Sequence, residues 1–109
     1  MAARALAVRR GEIWWSEHPE AGRRPVLVLT RDEAIDRLSQ VLIVPTTRNV
    51  RDIPTHVHLD ESDGMPWPCA LTLDTTGPLA RGLFIEQITR LGPERMHEVC
   101  RALASATGC

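Results

Sequence analysis

Two short polar clusters flank the most apolar stretches of this chain. Arg23 and Arg24 stand immediately before the run Pro25 to Thr30, and Thr46, Thr47 and Arg48 stand immediately after the run ending at Pro45, which starts at Val41. Each run has the length of a strand and is rich in branched aliphatic residues, so each is predicted to be a strand buried on both faces. If the two pair antiparallel, the start of one lies beside the end of the other, and Arg24 meets Thr47. A guanidinium beside a hydroxyl on two rigid strands is a workable anion site. Charge-assisted donors held there can grip a phosphate and stabilise the added charge of its transition state. The alternative is that Arg24 pairs with an acid such as Asp32 while Thr47 simply ends a strand.

Other chemistries have less to build on. There is no Gly-rich phosphate loop, no serine elbow and no Cys/His pair at catalytic spacing. His56 and His58 could point from one strand face towards a metal, but two ligands without a third nearby make a poor site, so no metal is expected. Asp60, Glu61 and Asp63 lack the spacing and length of a calcium loop and read as a solvated acidic turn. Cys69, Cys100 and Cys109 are an odd count without paired spacing, which predicts reduced thiols. Cys100 is placed on the buried stripe of a helix, Cys69 at the start of a strand and Cys109 at the loose end, none as an activated nucleophile.

The elements that must position Arg24 and Thr47 fit one small domain. The 109 residues are 43% hydrophobic and 25% charged, ordinary globular values, and no apolar run approaches the ~20 residues of a membrane span. No signal-like segment opens the chain, which predicts a cytoplasmic protein with residues 1–8 as a flexible arm. All thirteen basic residues are arginine; a planar fork suits phosphate, although GC-rich codon usage leaves the same mark. Gly11 to Trp15 is predicted to be a strand. Thr55 to Leu59 alternates with Val57 and Leu59 on one face, and Cys69 to Asp74 repeats the pattern, so both are predicted half-buried. Loops are predicted at His18 to Gly22, Asn49 to Pro54 and Asp60 to Pro68, with a helical turn in Asp32 to Leu38. The one long helix follows Gly92 as cap and Pro93 at its first position, with Met96, Val99, Cys100 and Leu103 as its buried stripe. Short antiparallel strands and a terminal helix point to an α+β domain built on a small barrel.

Taken in order, several of these segments resemble the MazF/PemK family of toxin endoribonucleases. They are Arg10-Gly11-Glu12-Ile13-Trp14, Arg24-Pro25-Val26-Leu27-Val28-Leu29, Val44-Pro45-Thr46-Thr47, Ile53-Pro54-Thr55-His56-Val57 and Gly64-Met65-Pro66, with Cys69 where the family usually has serine, followed by Leu91 to Gly108. The resemblance spans nearly the whole chain, 1–109, as one domain. It implies an SH3-like, CcdB/PemK-like antiparallel barrel that forms a homodimer, cuts single-stranded RNA without metal or other cofactor, and is held inactive by a MazE-like antitoxin. The family's catalytic arginine and threonine fall on Arg24 and Thr47. Attack by the ribose 2′-hydroxyl on the adjacent phosphate would explain why no protein nucleophile is visible.

Two departures bear on substrate. The loop from Ser16 to Gly22 is shorter than in many relatives, and Thr75-Thr76-Gly77 stands where many carry Gln-Ile-Arg. The recognised sequence is therefore not inherited from them. The candidate RNA contacts are Trp15 and Trp67 for stacking, Arg23 and Arg48 for phosphate, and Thr75. The surplus of large apolar residues, Trp14, Trp15, Trp67, Leu83 and Phe84, predicts a dimer interface near Leu79 to Ile85. Two other readings are a CcdB-like toxin that binds DNA gyrase, which would end in Trp-Gly-Ile rather than Ala106-Thr107-Gly108-Cys109, and an inactive barrel that binds RNA without cutting it.

Overall fold

The computed structural model describes residues 7–20 and 22–109. Its strands are β1 (Glu12–His18), β2 (Gly22–Val28), β3 (Gln40–Thr47), β4 (His56–Leu59), β5 (Cys69–Thr72), β6 (Gly77–Ala80) and β7 (Phe84–Arg90). A one-turn helix α1 (Asp32–Ile35) joins β2 to β3, and helix α2 (Pro93–Thr107) comes last. The pairings are antiparallel, in one sheet ordered β4-β5-β3-β2-β1-β7. The far edge of β3 is shared: Gln40 to Ile43 pair with β6, whereas Thr46 and Thr47 pair with β5. This is the expected α+β antiparallel fold, with the sheet left open rather than closed into a complete barrel.

Strand alternation sends neighbouring residues to two different apolar clusters. Ile13, Leu27, Leu29 and Val44 join Val57, Leu59, Leu71 and the α2 residues Val99 and Ala102 in one cluster. Trp14, Val26, Val28, Val41 and Ile43 join Val8, Ile35, Leu79 and Phe84 in the other. Apart from Leu42, both faces of the central apolar runs are therefore dry, the reason their sequences read as continuous apolar runs. Trp14 and Phe84 meet edge to face with centroids 6.1 Å apart, so these two belong to the core, while Trp15, Trp67 and Leu83 are half-buried.

Several expectations are corrected. β1 runs on to His18, so Ser16 is strand rather than loop. Leu42 is 41% exposed, because the cover on its side of β3 stops short of it. Cys69 to Thr72 is not half-buried: Cys69, Ala70 and Leu71 are all buried, Cys69 and Leu71 in the cluster under α2 and Ala70 on the opposite face. Of the predicted arm, residues 1–6 lie outside the described residues, and Val8 is fully buried, part of the core and not of an arm. Strands β6 and β7 were not expected, for their burial alternates weakly. On α2 the buried residues are Val99 and Ala102, with Met96, Leu103 and Ala106 packed at the margin; Cys100 is exposed. Counting only large side chains turned the stripe by about one residue, because Ala102 carries part of the contact. Among the described residues no helix is long and apolar enough to cross a membrane.

Carboxylates tie the edges together. The Glu12 carboxylate, 7% exposed, accepts the Arg9 N–H and the Trp14 indole N–H, both at 2.9 Å, and Arg90 lies 3.7 Å away. Asp63 takes two contacts from Arg95 of α2, at 3.0 and 3.2 Å, which pins the turn after β4 to the helix. Asp60 caps that turn through Ser62 N–H and its own N–H to Asp63.

The turn closes at Gly64 with φ of 91°, and there glycine is required twice over. A Cβ would lie 2.4 Å from Thr89 Oγ1 and 2.8 Å from Thr89 Cβ, and Thr89 is held by its hydrogen bond to the Asp63 carbonyl at 3.0 Å. Gly64→Ala is expected to lower stability by roughly 2–3 kcal/mol, combining left-handed backbone strain with displacement of β7. Denaturant titration reads this as a lower midpoint at unchanged slope; a midpoint equal to wild type would mean the turn opens freely.

Candidate active site at the ends of two central strands

β2 and β3 pair Val28 with Ile43, Leu27 with Val44 and Val26 with Pro45. Continuing this register by two residues sets Arg24 opposite Thr47. The continuation is held by hydrogen bonds from side chains: Thr46 Oγ1 donates to the Pro25 carbonyl at 2.8 Å, and from β1 Ser16 Oγ donates to the Arg24 carbonyl at 2.9 Å. Both hydroxyls sit on buried residues, so neither bond competes with water. Sequence reasoning missed Ser16, which it assigned to a loop, and gave Thr46 no role. The signal for Ser16 was its alternation with Ile13 and Trp15.

Alternation also decides which way the site faces. Arg24 shares a face with Val26 and Val28, and Thr47 shares the same face with Ile43 and Val41. Arg24 is half-buried, yet among the described residues no carboxylate forms an ion pair with it. Asp32, its conceivable partner, instead accepts the Arg10 backbone N–H at 2.8 Å. The guanidinium is thus held on a rigid strand without a neutralising partner, the arrangement that favours an anion from outside. Thr47 Oγ1 accepts the Asn49 N–H at 3.1 Å, which leaves its hydroxyl proton to donate.

A groove of about 340 Å³ at these strand ends is lined by Arg23, Arg24, Pro25, Thr46, Thr47, Arg48 and Trp67. Four of the residues singled out from sequence form one continuous stack beside it. Arg23 lies 5.5 Å from the Trp15 ring centre, Trp15 meets Trp67 at 5.7 Å with planes at 70°, and Arg48 lies 4.4 Å over Trp67. The tryptophans keep two exposed arginines extended at the groove without carboxylate partners. Thr75 stands apart. It lines a separate cavity that also includes Arg24, and its hydroxyl donates to the Thr72 carbonyl at 3.2 Å.

The two histidines have other work. His56 Nδ1 accepts the Arg51 N–H at 3.3 Å, and His58 Nε2 lies 2.8 Å from the Arg51 carbonyl, to which it donates. Both hold the loop before β4. No group of three His, Cys, Asp or Glu that could hold a metal ion occurs among the described residues.

The family model for PemK-like, MazF-like toxins of type II toxin–antitoxin systems matches residues 9–107. The chain is 42% identical over 103 residues to a probable endoribonuclease, MazF2, of Mycobacterium tuberculosis, covering 94% of this chain and 100% of that one. Among solved structures it is similar to the Mycobacterium tuberculosis toxin MazF-mt6, at 27% identity and TM-score 0.82, covering 89% of this chain and 96% of that chain. It is also similar to a chain of the MazE–MazF structure from Deinococcus radiodurans, at 25% identity and TM-score 0.78, covering 94% and 98%.

Behind the groove, burial and, to a lesser degree, the Asp63 carboxylate together push the Cys69 thiol up to about 11, with Arg48 offsetting part of the rise. A thiol shifted upward stays protonated until pH approaches that value, so at pH 8 only about one in a thousand is thiolate. Cys100 and Cys109 are exposed. In native protein at pH 8, iodoacetamide is expected to label Cys100 and Cys109 and to reach Cys69 only after unfolding. Mass spectrometry of the digested protein checks this, and rapid native labelling of Cys69 would contradict its burial.

Proposed function

The chain belongs to the PemK-like, MazF-like toxins of type II toxin–antitoxin systems, and we propose that it cuts single-stranded RNA at the groove between Arg24 and Thr47. Relatives named as endoribonucleases match over more than nine-tenths of its length; they do not favour the gyrase-binding or inactive alternatives. The observation that carries the reading is the register of β2 and β3, which sets an unpaired guanidinium across from a hydroxyl at the ends of two buried strands.

The proposed reaction needs no protein nucleophile. The ribose 2′-hydroxyl attacks the adjacent phosphorus, the P–O5′ bond breaks, and the products carry a 2′,3′-cyclic phosphate and a 5′-hydroxyl. DNA, lacking the 2′-hydroxyl, is excluded. Arg24 donates to the phosphate oxygens as their charge grows and, as a guanidinium with donors only, is poorly suited to accept the proton. Thr47 orients the phosphate or the attacking oxygen through its free hydroxyl proton. Charge on the phosphorane is met by Arg24, so a metal is not part of the scheme. Trp67 and Trp15 offer faces for unpaired bases, while Arg23 and Arg48 hold phosphates on either side.

The working form is a cytoplasmic homodimer, each protomer one domain, inhibited by a MazE-like antitoxin. Ile85, an exposed large apolar residue in the segment Leu79 to Ile85, supports an interface there.

Incubating a long single-stranded RNA with the purified protein in EDTA, then mapping ends, tests the activity directly. Arg24→Ala is expected to remain folded and to lose about 10²–10³ in cleavage rate, and Thr47→Ala to lose less, since it removes a neutral donor. The double variant is expected to be little worse than Arg24→Ala, because both groups act on one transition state. Near wild-type cleavage by folded Arg24→Ala would sink the mechanism. A separate salt titration checks the arginines of the stack. Arg48→Ala should weaken binding about equally for all sequences and reduce the salt slope by about one phosphate contact. A change in the cleaved motif would contradict that role.

A further inference from the structure

Arg24 is a ridge between two cavities, and the cleavage scheme uses only one. The other, of about 220 Å³, is walled by Val26, Ile43 and Leu79 from the apolar core, with Pro45 beside them and Thr75 on its rim. Strand β6 makes the space. Gly77 pairs with Ile43 and Leu79 with Val41, so Gly77 and Leu79 share a face, and at position 77 no side chain fills it. A Cβ at Gly77 would meet nothing closer than the Thr75 carbonyl at 3.9 Å, and its backbone is not in the left-handed region. Glycine is therefore not demanded by the fold here, yet its presence keeps the cavity open beside the unpaired guanidinium.

We propose that this cavity binds one unpaired nucleobase of the RNA, that of a nucleotide flanking the scissile phosphate, and selects the base at that position. The inference rests on the reading of the protein as an RNA-cleaving enzyme. Its room is that of about seven waters, the scale of a single base rather than a base pair. Apolar walls suit the two faces of a planar ring, whereas the Thr75 hydroxyl at the rim, which donates to the Thr72 carbonyl, can accept a hydrogen bond from its polar edge. A ligand combining such a ring with an anion is what a greasy pocket against a bare cation requires, and a nucleotide is that combination. With the phosphate on Arg24, one neighbouring base enters the cavity and the chain on the other side crosses to Trp67. Both nucleotides across the cleaved bond are then held, which favours in-line attack.

The test is binding of an RNA that cannot be cut, carrying a 2′-deoxy sugar at the attacking nucleotide, with single abasic substitutions placed along it. For wild type, loss of the base at one of the two positions flanking the scissile bond is expected to weaken binding roughly tenfold. For Gly77→Leu, whose side chain fills the cavity, the same abasic substitution should cost less than about twofold. Thr75→Val, which keeps the volume and removes the rim hydroxyl, should change which base is preferred at that position in mapped cleavage of a long RNA, and it serves as well should Gly77→Leu not fold. An abasic penalty that is equal in both proteins, or absent at both flanking positions, or an unchanged preference in Thr75→Val, overturns the proposal. Failure of wild type to cleave in EDTA while the abasic penalty persists would overturn the catalytic reading alone.

Discussion

The antiparallel register of β2 against β3 is the constraint on which the site depends. Because both faces of these strands are buried in different clusters, a slip of one residue would exchange every side chain between them. Val26 and Val28 would trade places with Leu27 and Leu29, Arg24 would move to the helix side, and Thr47 would no longer face it. The packing of two apolar clusters thus fixes a polar geometry at the strand ends, where few atoms remain to fix it locally. The hydroxyls of Thr46 and Ser16 extend that order two residues beyond the ladder, each by a buried bond to a main-chain carbonyl.

An arginine without a carboxylate is costly in a core and useful at its edge. Arg24 is half-buried and lines two cavities, so hydration meets most of the cost of its charge until an anion replaces the water. The flanking arginines are handled differently. Arg23 and Arg48 lie on the tryptophan stack, which orders them without neutralising them, whereas Arg95 is committed to Asp63 and Glu98 and Arg90 to Glu12. Arg90 and Arg95 are thus structural arginines paired with acids, whereas Arg23, Arg24 and Arg48, with no acid partner among the described residues, are gathered at one end of the sheet.

The same division explains the small polar turns. Asp60 and Asp63 supply the acceptors that a tight turn needs for its own N–H groups, and Asp63 also anchors α2. His56 and His58 face the same way from β4 by strand alternation, and both reach one residue, Arg51. Each of these clusters looks like a site when read along the chain and becomes a brace once its neighbours in space are known.

Sequence alone determined the central strands, the terminal helix with its Gly92–Pro93 start, and the meeting of Arg24 with Thr47. These follow from local rules: apolar runs of strand length, a cap that admits proline, and antiparallel geometry that joins one strand's start to another's end. It did not reveal β6 and β7, whose alternation is weak because part of each faces solvent, nor the exposure of Cys100, since a helix face is chosen by what packs on it. The stacking of Trp15 on Trp67, fifty-two residues on along the chain, and the cavity beside Arg24 were decided by tertiary structure. Both depend on the distance between elements far apart in sequence, and no local pattern encodes that distance. Gly77 shows the limit most simply: in the sequence it is a missing side chain, and only the packing of β6 against β3 turns that absence into a space next to a charge.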